Sequence, residues 1–176
     1  MNDIASSDAL RALYGEPSDI VRKKVLDRLD RHCRHFIRLS PFLVIASCDD
    51  SGADATPRGD APGFVAILDD RRLLIPDRRG NNRIDTLMNV SRNPNVGLLF
   101  MVPGINESLR VNGTGSLTAD QALLAPLEAQ GKIPTSGLLV DVREAFFHCG
   151  KAMIRSRLWQ DDARVERGAF PSLGRV

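Results

Sequence analysis

The sequence predicts a mainly β fold with flanking helices, in which antiparallel strands form a closed or nearly closed barrel. Apolar runs rich in β-branched and aromatic residues recur at least six times between residues 42 and 147, and turn residues separate them. Long helical patterns are few, and a barrel removes the exposed edges that so many short strands would leave. With 176 residues, 43% of them hydrophobic, the chain is expected to form one domain, residues 1–176, around one core.

The first part of the chain, about residues 7–38, is predicted to be helical. Apolar residues recur near the 3.6-residue period over residues 20–37, with Ser18 or Asp19 as the N-cap. Pro41 ends this helix, because proline disfavours helical geometry in the residue before it. The charged residues between the apolar positions are expected to face solvent.

Four apolar runs after residue 41 predict an antiparallel meander. The first two, residues 42–48 and 54–58, are separated by Asp, Ser and Gly residues that are typical of a turn. The next two, residues 63–68 and 72–75, are joined at a second turn rich in aspartate. Each run is expected to pair with the one that follows it.

The second half of the chain repeats the strand pattern. Residues 96–102 predict a buried strand and residues 109–117 a long strand, in which two glycines indicate a bend or a bulge. Residues 118–129 have a helical pattern, and residues 138–147 supply the last strand. The chain then ends in a predicted helix and tail, about residues 150–176.

The charge balance excludes several classes of partner. The chain has 24 Lys and Arg against 22 Asp and Glu, a net charge of +2, so no strong overall field attracts nucleic acid or an anionic membrane. Aromatic residues make up only 5%, which disfavours an RNA-binding module built on base stacking. No apolar run is long enough to span a bilayer, so a cytoplasmic location is expected.

The cysteines and histidines indicate neither a disulfide framework nor a metal site. The 3 cysteines are widely separated, and the acidic ligands or further cysteines that would complete a site with His32, Cys33 and His35 are not evident nearby. Reduced thiols and no bound metal are therefore expected. No Ser-His-Asp or Cys-His nucleophile arrangement is evident, so the sequence assigns no catalytic residue.

The most informative segment is a loop rich in hydrogen-bond donors. Residues 78–83 read Arg-Arg-Gly-Asn-Asn-Arg, and they lie between an apolar strand that ends at Asp77 and a short helix predicted at residues 84–90. Arginine supplies permanently charged, forked donors, glycine lets backbone N–H groups turn toward a ligand, and a helix N-terminus adds partial positive charge. The loop therefore predicts an anion site, most economically for phosphate. The alternatives are an exposed basic loop and, for Asn81 and Asn82, a turn or helix cap.

Several segments occur in the order seen in proteins related to pyridoxamine 5'-phosphate oxidase, and the chain resembles that family. They are residues 56–60, 74–83, 93–100 and 109–113, with a further match over residues 148–159. The resemblance implies a split β-barrel that forms a homodimer and holds FMN in two clefts between the subunits. The most similar branch comprises FMN-dependent enzymes whose substrates are generally unassigned.

The resemblance also implies which residues contact the cofactor. Asn82 and Arg83 match a phosphate-binding pair that is normally arginine followed by lysine, so asparagine lowers the charge there. Arg58 and Arg78 would supply the missing charge, and Arg110 would replace a flavin-contacting glutamine of the family. The implied cofactor-binding residues are Arg58, Pro76, Asp77, Arg78, Asn81, Asn82, Arg83, Arg110, Lys151, Arg155 and Trp159.

The carboxyl-terminal segment has two interpretations. Lys151, Arg155 and Trp159 recur at helical spacing, and in the family this end of the chain reaches the partner's flavin. An indole there would stack on the ring and donate a hydrogen bond. Equally, Trp159 would belong to an apolar face that covers the barrel or the dimer seam.

The favoured hypothesis is an FMN-dependent oxidoreductase that passes a hydride between NAD(P)H, or another small donor, and an unknown acceptor. The family's Arg-x-His substrate pattern near the carboxyl end is absent, because no histidine follows His148, and this argues against formation of pyridoxal phosphate. The alternative is a protein that holds flavin, deazaflavin or haem without turnover. Haem would call for an axial ligand, such as His148 or His35.

Overall fold

Seven antiparallel strands form one sheet in the computed structural model, which describes residues 6–172. The strands are β1 (Phe42–Asp49), β2 (Gly52–Gly59), β3 (Ala66–Ile67), β4 (Arg72–Pro76), β5 (Asn95–Met101), β6 (Ser108–Thr118) and β7 (Gly137–His148). Hydrogen-bonded neighbours follow the order β2-β1-β5-β6-β7-β4-β3. The prediction of a mainly antiparallel β fold is confirmed. The ends of the predicted domain, residues 1–5 and 173–176, lie outside the described part of the chain.

The predicted four-strand meander is wrong at its middle connection. β1 pairs with β2 and β3 pairs with β4, but β2 and β3 lie at opposite ends of the sheet. The strand predicted at residues 63–68 is reduced to Ala66–Ile67. The residues before it are instead taken up by the crossing between the two hairpins, where Phe64 and Val65 enter the core at 7% and 3% exposure.

The predicted irregularity in the long sixth strand is confirmed as a bulge. Its pairing with β7 shifts register between Asn112 and Gly113. A Cβ at Gly113 would lie 2.1 Å from the carbonyl oxygen of Asp141, a distance that no side chain can accept. Glycine is required here because the two backbones approach so closely.

Six α-helices flank the sheet in the described chain. They are α1 (Ser7–Tyr14), α2 (Asp19–Lys23), α3 (Arg31–Leu39), α4 (Asp85–Arg92), α5 (Gln121–Leu124) and α6 (Lys151–Ser156). Single 3₁₀ turns follow at Ala125–Leu127, Asp161–Ala163 and Arg167–Ala169. None of the helices within residues 6–172 is long and apolar enough to cross a bilayer.

The helix predicted to run unbroken from Ser18 or Asp19 is interrupted between α2 and α3. Leu26 forms a β-bridge with Ala145 of β7, with N···O distances of 2.9 Å and 2.8 Å, and this extended segment competes with helix formation. Helix α3 restarts at its own N-cap, since the Asp30 carboxylate accepts hydrogen bonds from the backbone N–H groups of His32 and Cys33. The pairing of Leu26 with Ala145 therefore outweighs the helical pattern of the apolar residues in this segment.

Packing in the hydrophobic core places the carboxyl ends of β2 and β4 beside the start of α4. β4 is buried from Leu73 to Pro76, which fixes the segment leading into the arginine-rich loop. Helix α4 lies against β1, and its Val90 joins the hydrophobic core at 4% exposure. The carboxyl ends of β2 and β4 therefore meet the start of α4.

Candidate functional site

A small cleft lies where β2, β4 and α4 meet. Three of the predicted cofactor residues, Arg58, Pro76 and Asp77, line this cleft together. Its other lining residues are Ile45, Ile75, Thr86, Leu87 and Leu138. The enclosed volume is only about 10 Å³, which is space for about one water molecule.

Arg58 is the arginine that lines this cleft, and its guanidinium has only neutral partners. Its Nη1 donates to the carbonyl of Pro57 at 3.0 Å, and its Nη2 lies 3.5 Å from the hydroxyl oxygen of Thr86. None of the ion pairs in the described chain includes this half-buried side chain. Its positive charge therefore remains available for an anion.

The hydroxyl of Thr86 links strand β2, which carries Arg58, to helix α4. Thr86 is 1% exposed in the first turn of α4, and its hydroxyl donates to the hydroxyl of Thr56 at 3.0 Å. Thr56 lies on β2, two residues before Arg58. This network holds the guanidinium beside the start of the helix.

The N-terminus of α4 is open. Its N-cap, Ile84, has no side chain that accepts a hydrogen bond, and the N–H of Met88 is the first to bond within the helix, to Ile84 at 2.9 Å. The first-turn N–H groups thus point away from the helix without capping partners, and they carry partial positive charge. They add to the charge of the nearby Arg58.

Arg78 is committed to protein partners. Its Nε lies 2.6 Å from a carboxylate oxygen of Asp60, and its Nη1 donates to the carbonyl of Leu127 at 2.6 Å. The side chains of Arg78 and Asp60 are 24% and 23% exposed. The Nε–H is not directed at the carboxylate, so the contact is an ion pair without a hydrogen bond from that atom. Arg78 joins the β2–β3 crossing to the 3₁₀ turn before β7.

The remainder of the arginine-rich loop is exposed. The carboxamide of Asn81 accepts from the backbone N–H of Arg83 at 3.2 Å, which is the turn interpretation of this residue. Asn82 and Ile84 both have left-handed backbones, with φ of 59° and 49°. The Arg83 guanidinium is paired with Asp85, the first residue of α4.

Arg110 lies on a different surface. It is exposed on β6, and its guanidinium stacks 4.9 Å above the ring of Phe146 on β7. Arg110 does not line the cleft beside Arg58.

Only two of the three carboxyl-terminal candidates, Lys151 and Arg155, share a helical face. Lys151 and Arg155 are exposed on α6, but the helix ends at Ser156, and Arg157 adopts a left-handed backbone with φ of 55°. Trp159 therefore lies beyond the helix, which corrects the predicted spacing. Its indole N–H donates to the carbonyl of Ile105 at 2.9 Å, as the packing interpretation expects.

A larger groove lies on the other side of α4, beside the β1–β2 turn. It measures about 340 Å³, and its charged lining residues are Asp49, Asp54, Asp85 and Arg92. Hydrogen bonds from the hydroxyl of Ser51 and from Arg92 lower the pKa of Asp49 to about 2. With three aspartates and one arginine, this groove repels phosphate, unlike the cleft beside Arg58.

Three residues of the site were missed by the sequence predictions. Asp60 follows Arg58 and Gly59 directly, but nothing local indicates that it pairs with Arg78. Thr86 was hidden within a short helical pattern, although a hydroxyl in a first helical turn is a recognisable signal. Asp85 was read only as a helical residue, although its position two residues after Arg83 allows an ion pair.

No metal site is evident in the part of the chain that the structure describes. Within residues 6–172, no group of three or more His, Cys, Asp or Glu side chains is arranged to hold a metal ion. His35 and His148, the proposed axial ligands for haem, are both exposed.

The comparisons with known proteins agree with the fold described above. The family model described as pyridoxamine 5'-phosphate oxidase matches residues 29–149. The chain is similar to a histidine-to-alanine variant of HupZ from Group A Streptococcus, with a TM-score of 0.57 and 14% identity over 68% of this chain and 99% of that one. It is also similar to a candidate pyridoxamine 5'-phosphate oxidase of Lactobacillus delbrueckii, with a TM-score of 0.53 and 18% identity over 69% and 95%. No curated protein matched. The predicted fold class, a split β-barrel, is confirmed.

Proposed function

This chain belongs to the pyridoxamine 5'-phosphate oxidase family, as its sequence resemblance predicted, and on that premise we propose that it is an FMN-binding protein and an FMN-dependent oxidoreductase acting on a small molecule. The observation that carries the proposal is the guanidinium of Arg58. It is half-buried, has no carboxylate partner among the described residues, and lies beside the open N-terminus of α4.

These groups fit a phosphate. A phosphate monoester carries about −1.5 to −2 charges at pH 7, and it needs several donors that point to one place. Arg58 would supply two of them, and the first-turn N–H groups of α4 would supply others, with the helix dipole adding favourable charge. A hydrogen bond to a charged group contributes about 1.5–3 kcal/mol, so a few such bonds would account for most of the affinity.

Pro76 and Asp77 would lie beside the remainder of the cofactor. Pro76 ends the buried strand β4, and the backbone N–H of Asp77, the next residue, donates to the carbonyl of Ser136 at 3.0 Å, so both positions are fixed by the fold. The cleft that they line holds about one water molecule, so one chain does not enclose a flavin ring. A second protein surface would have to cover the ring, which supports a homodimer with the cofactor at the interface.

One face of the sheet is suited to that contact. Five residues lie opposite one another across five strands and alternate with core residues, so they face away from the barrel interior. This outer row consists of Pro57, Val44, Leu99, Arg110 and Phe146. Val44, Leu99 and Phe146 are half-buried apolar side chains, and a contiguous apolar patch is typical of a protein interface. Arg110, a predicted cofactor residue, would then lie in the dimer interface.

The protein's own part in the chemistry would be to bind FMN and to orient it. FMN, when bound, supplies the capacity to accept and donate a hydride. Arg58 would hold the phosphate at one end of the cleft, and the end of β4 would position the ring edge. NAD(P)H is the proposed hydride donor. Because no histidine follows His148 in this sequence, we do not propose pyridoxal phosphate as the product.

A second candidate is a protein that holds a flavin or deazaflavin without turnover. It is favoured by the lining of the cleft, which contains no His, Cys or Lys and only Asp77 as an acidic group. A deazaflavin would use the same phosphate-binding groups. Haem is not favoured, because both candidate axial ligands are exposed side chains.

A visible absorption spectrum separates these functions. The purified protein, incubated with FMN and freed of excess, is expected to retain stoichiometric flavin with its two absorption bands, and NADH or NADPH is expected to bleach them. Retained flavin that neither nicotinamide reduces would favour the non-catalytic candidate. A protein that retains no FMN would contradict the proposed function.

A further inference from the structure

Asp85 pairs with Arg83, one of the two exposed arginines of the loop that the sequence predicted to bind phosphate. The Nε and Nη2 atoms of Arg83 lie 2.9 Å and 2.8 Å from the same carboxylate oxygen of Asp85. The two side chains are 73% and 46% exposed, so a ligand can reach the pair from solvent. In this structure a carboxylate thus occupies the donors that a phosphate would use.

An exposed ion pair of this kind is easily exchanged. Such pairs contribute little to stability, because water screens both charges and two flexible side chains must be ordered. A phosphate offers several oxygens and a larger negative charge, and arginine binds it through two parallel hydrogen bonds. Arg83 can therefore leave Asp85 for a phosphate at small cost.

The backbone of the loop imposes this pairing. Asn82 and Ile84, on either side of Arg83, have left-handed conformations with φ of 59° and 49°. For isoleucine, whose side chain is branched at Cβ, that conformation is strained, and strain of this kind is retained at ligand-binding and switch segments. The two left-handed residues turn the chain so that Arg83 comes next to the first residue of α4.

Asp85 is also close to the proposed phosphate site in the chain, although its side chain lines the larger groove and not the cleft itself. It precedes Thr86, whose hydroxyl contacts Arg58, and it begins the helix whose free N–H groups face the same region. A carboxylate beside the phosphate would repel it.

We propose, building on the proposed function, that Asp85 is a built-in competitor of the cofactor phosphate. It pairs with Arg83 in the empty protein, and phosphate displaces it. By this competition Asp85 sets the affinity for the phosphate end of the cofactor and leaves the affinity for the ring unchanged.

The test is the Asp85→Asn variant, which keeps the size of the side chain and removes its charge. The Kd for FMN is measured by flavin fluorescence titration, with riboflavin as the ligand that lacks phosphate and inorganic phosphate as the isolated anion. Asp85→Asn is expected to bind FMN and phosphate at least fivefold more tightly and riboflavin within twofold of the wild type. The control is Asp27→Asn, which removes the exposed ion pair between Asp27 and Arg71, outside the cleft.

Each outcome has a separate meaning. If the wild type binds FMN and Asp85→Asn binds it equally or more weakly, the competition is wrong and the FMN function stands. If only Asp85→Asn binds FMN, the competition is supported in its strongest form. If neither protein binds FMN or phosphate, both the competition and the proposed function are overturned. Thermal unfolding of both variants shows whether each remains folded.

Discussion

Arg78 lies against Asp60, with its Nε atom 2.6 Å from a carboxylate oxygen, and both side chains are about three-quarters buried. The same guanidinium donates to the carbonyl of Leu127. These contacts join three segments that are distant in sequence. An arginine predicted from its neighbours to bind phosphate is thus engaged in holding the fold together around the site.

Replacing Arg78 with alanine should affect stability more than cofactor binding. Arg78→Ala leaves Asp60 and the Leu127 carbonyl without their charged partner, and a hydrogen bond to a charged group contributes about 1.5–3 kcal/mol. The free energy of unfolding in urea is expected to fall by about 2 kcal/mol. The Kd for FMN is expected to change less than threefold. Unchanged stability together with a tenfold weaker Kd would instead make Arg78 a phosphate ligand.

The arginine-rich loop shows how far local sequence can predict a site. Its donors and its position between a strand and a helix were readable, since both depend on neighbouring residues. The partners of those donors were not, because Asp60 reaches Arg78 only through the crossing between the two hairpins. Of the three arginines that the sequence predicted to share the phosphate, Arg58, Arg78 and Arg83, the structure leaves Arg58 without a carboxylate partner among the described residues.

In the fold, too, the local features could be predicted from the sequence and the long-range pairings could not. Strand runs and turns gave the mainly β class, and the glycines of β6 indicated the bulge at Gly113. The break in the N-terminal helix was not predictable, because it depends on the bridge between Leu26 and Ala145 of the last strand. The separation of β2 from β3 likewise depends on strand order, which periodicity does not encode.

The Thr86 hydroxyl should position Arg58. Thr86→Val keeps the shape of the side chain but removes the contacts with Arg58 and with the hydroxyl of Thr56. FMN is expected to bind three- to tenfold more weakly, with riboflavin unchanged, and stability is expected to fall by about 1 kcal/mol. The control is Thr114→Val on β6, outside the cleft. Equal FMN affinity in the Thr86 variant and the wild type would exclude a positioning role.

Asp49 should make the stability of the protein depend on acid pH. Hydrogen bonds from Ser51 and Arg92 lower its pKa from the ordinary 3.8 to about 2. Because the folded-state pKa is the lower one, the carboxylate stabilises the fold above about pH 4, and this contribution is lost as the pH falls toward 2. Urea unfolding of the wild type and Asp49→Asn is expected to show a difference at pH 6 that shrinks by pH 3. A difference that is constant with pH would contradict this assignment.

A charge in the outer row should separate the proposed dimer. Leu99→Lys places an ammonium in the middle of the row, where a second copy would have to bury it. Light scattering is expected to show the wild type at twice 19.3 kDa and the variant at 19.3 kDa with at least tenfold weaker FMN binding. Ile133→Lys, at an exposed apolar residue outside the row, is expected to remain dimeric. A monomeric wild type that binds FMN tightly would exclude the interfacial site.

The central claim is that Arg58 binds the phosphate of FMN, and a paired titration tests it most directly. The Kd values for FMN and for riboflavin are measured on the wild type and on Arg58→Ala, with circular dichroism to verify the fold. FMN is expected to bind at least tenfold more weakly to the variant, while riboflavin binds both proteins equally. The same FMN affinity in both proteins, or an equal loss for both ligands, would contradict the assignment of the phosphate to Arg58.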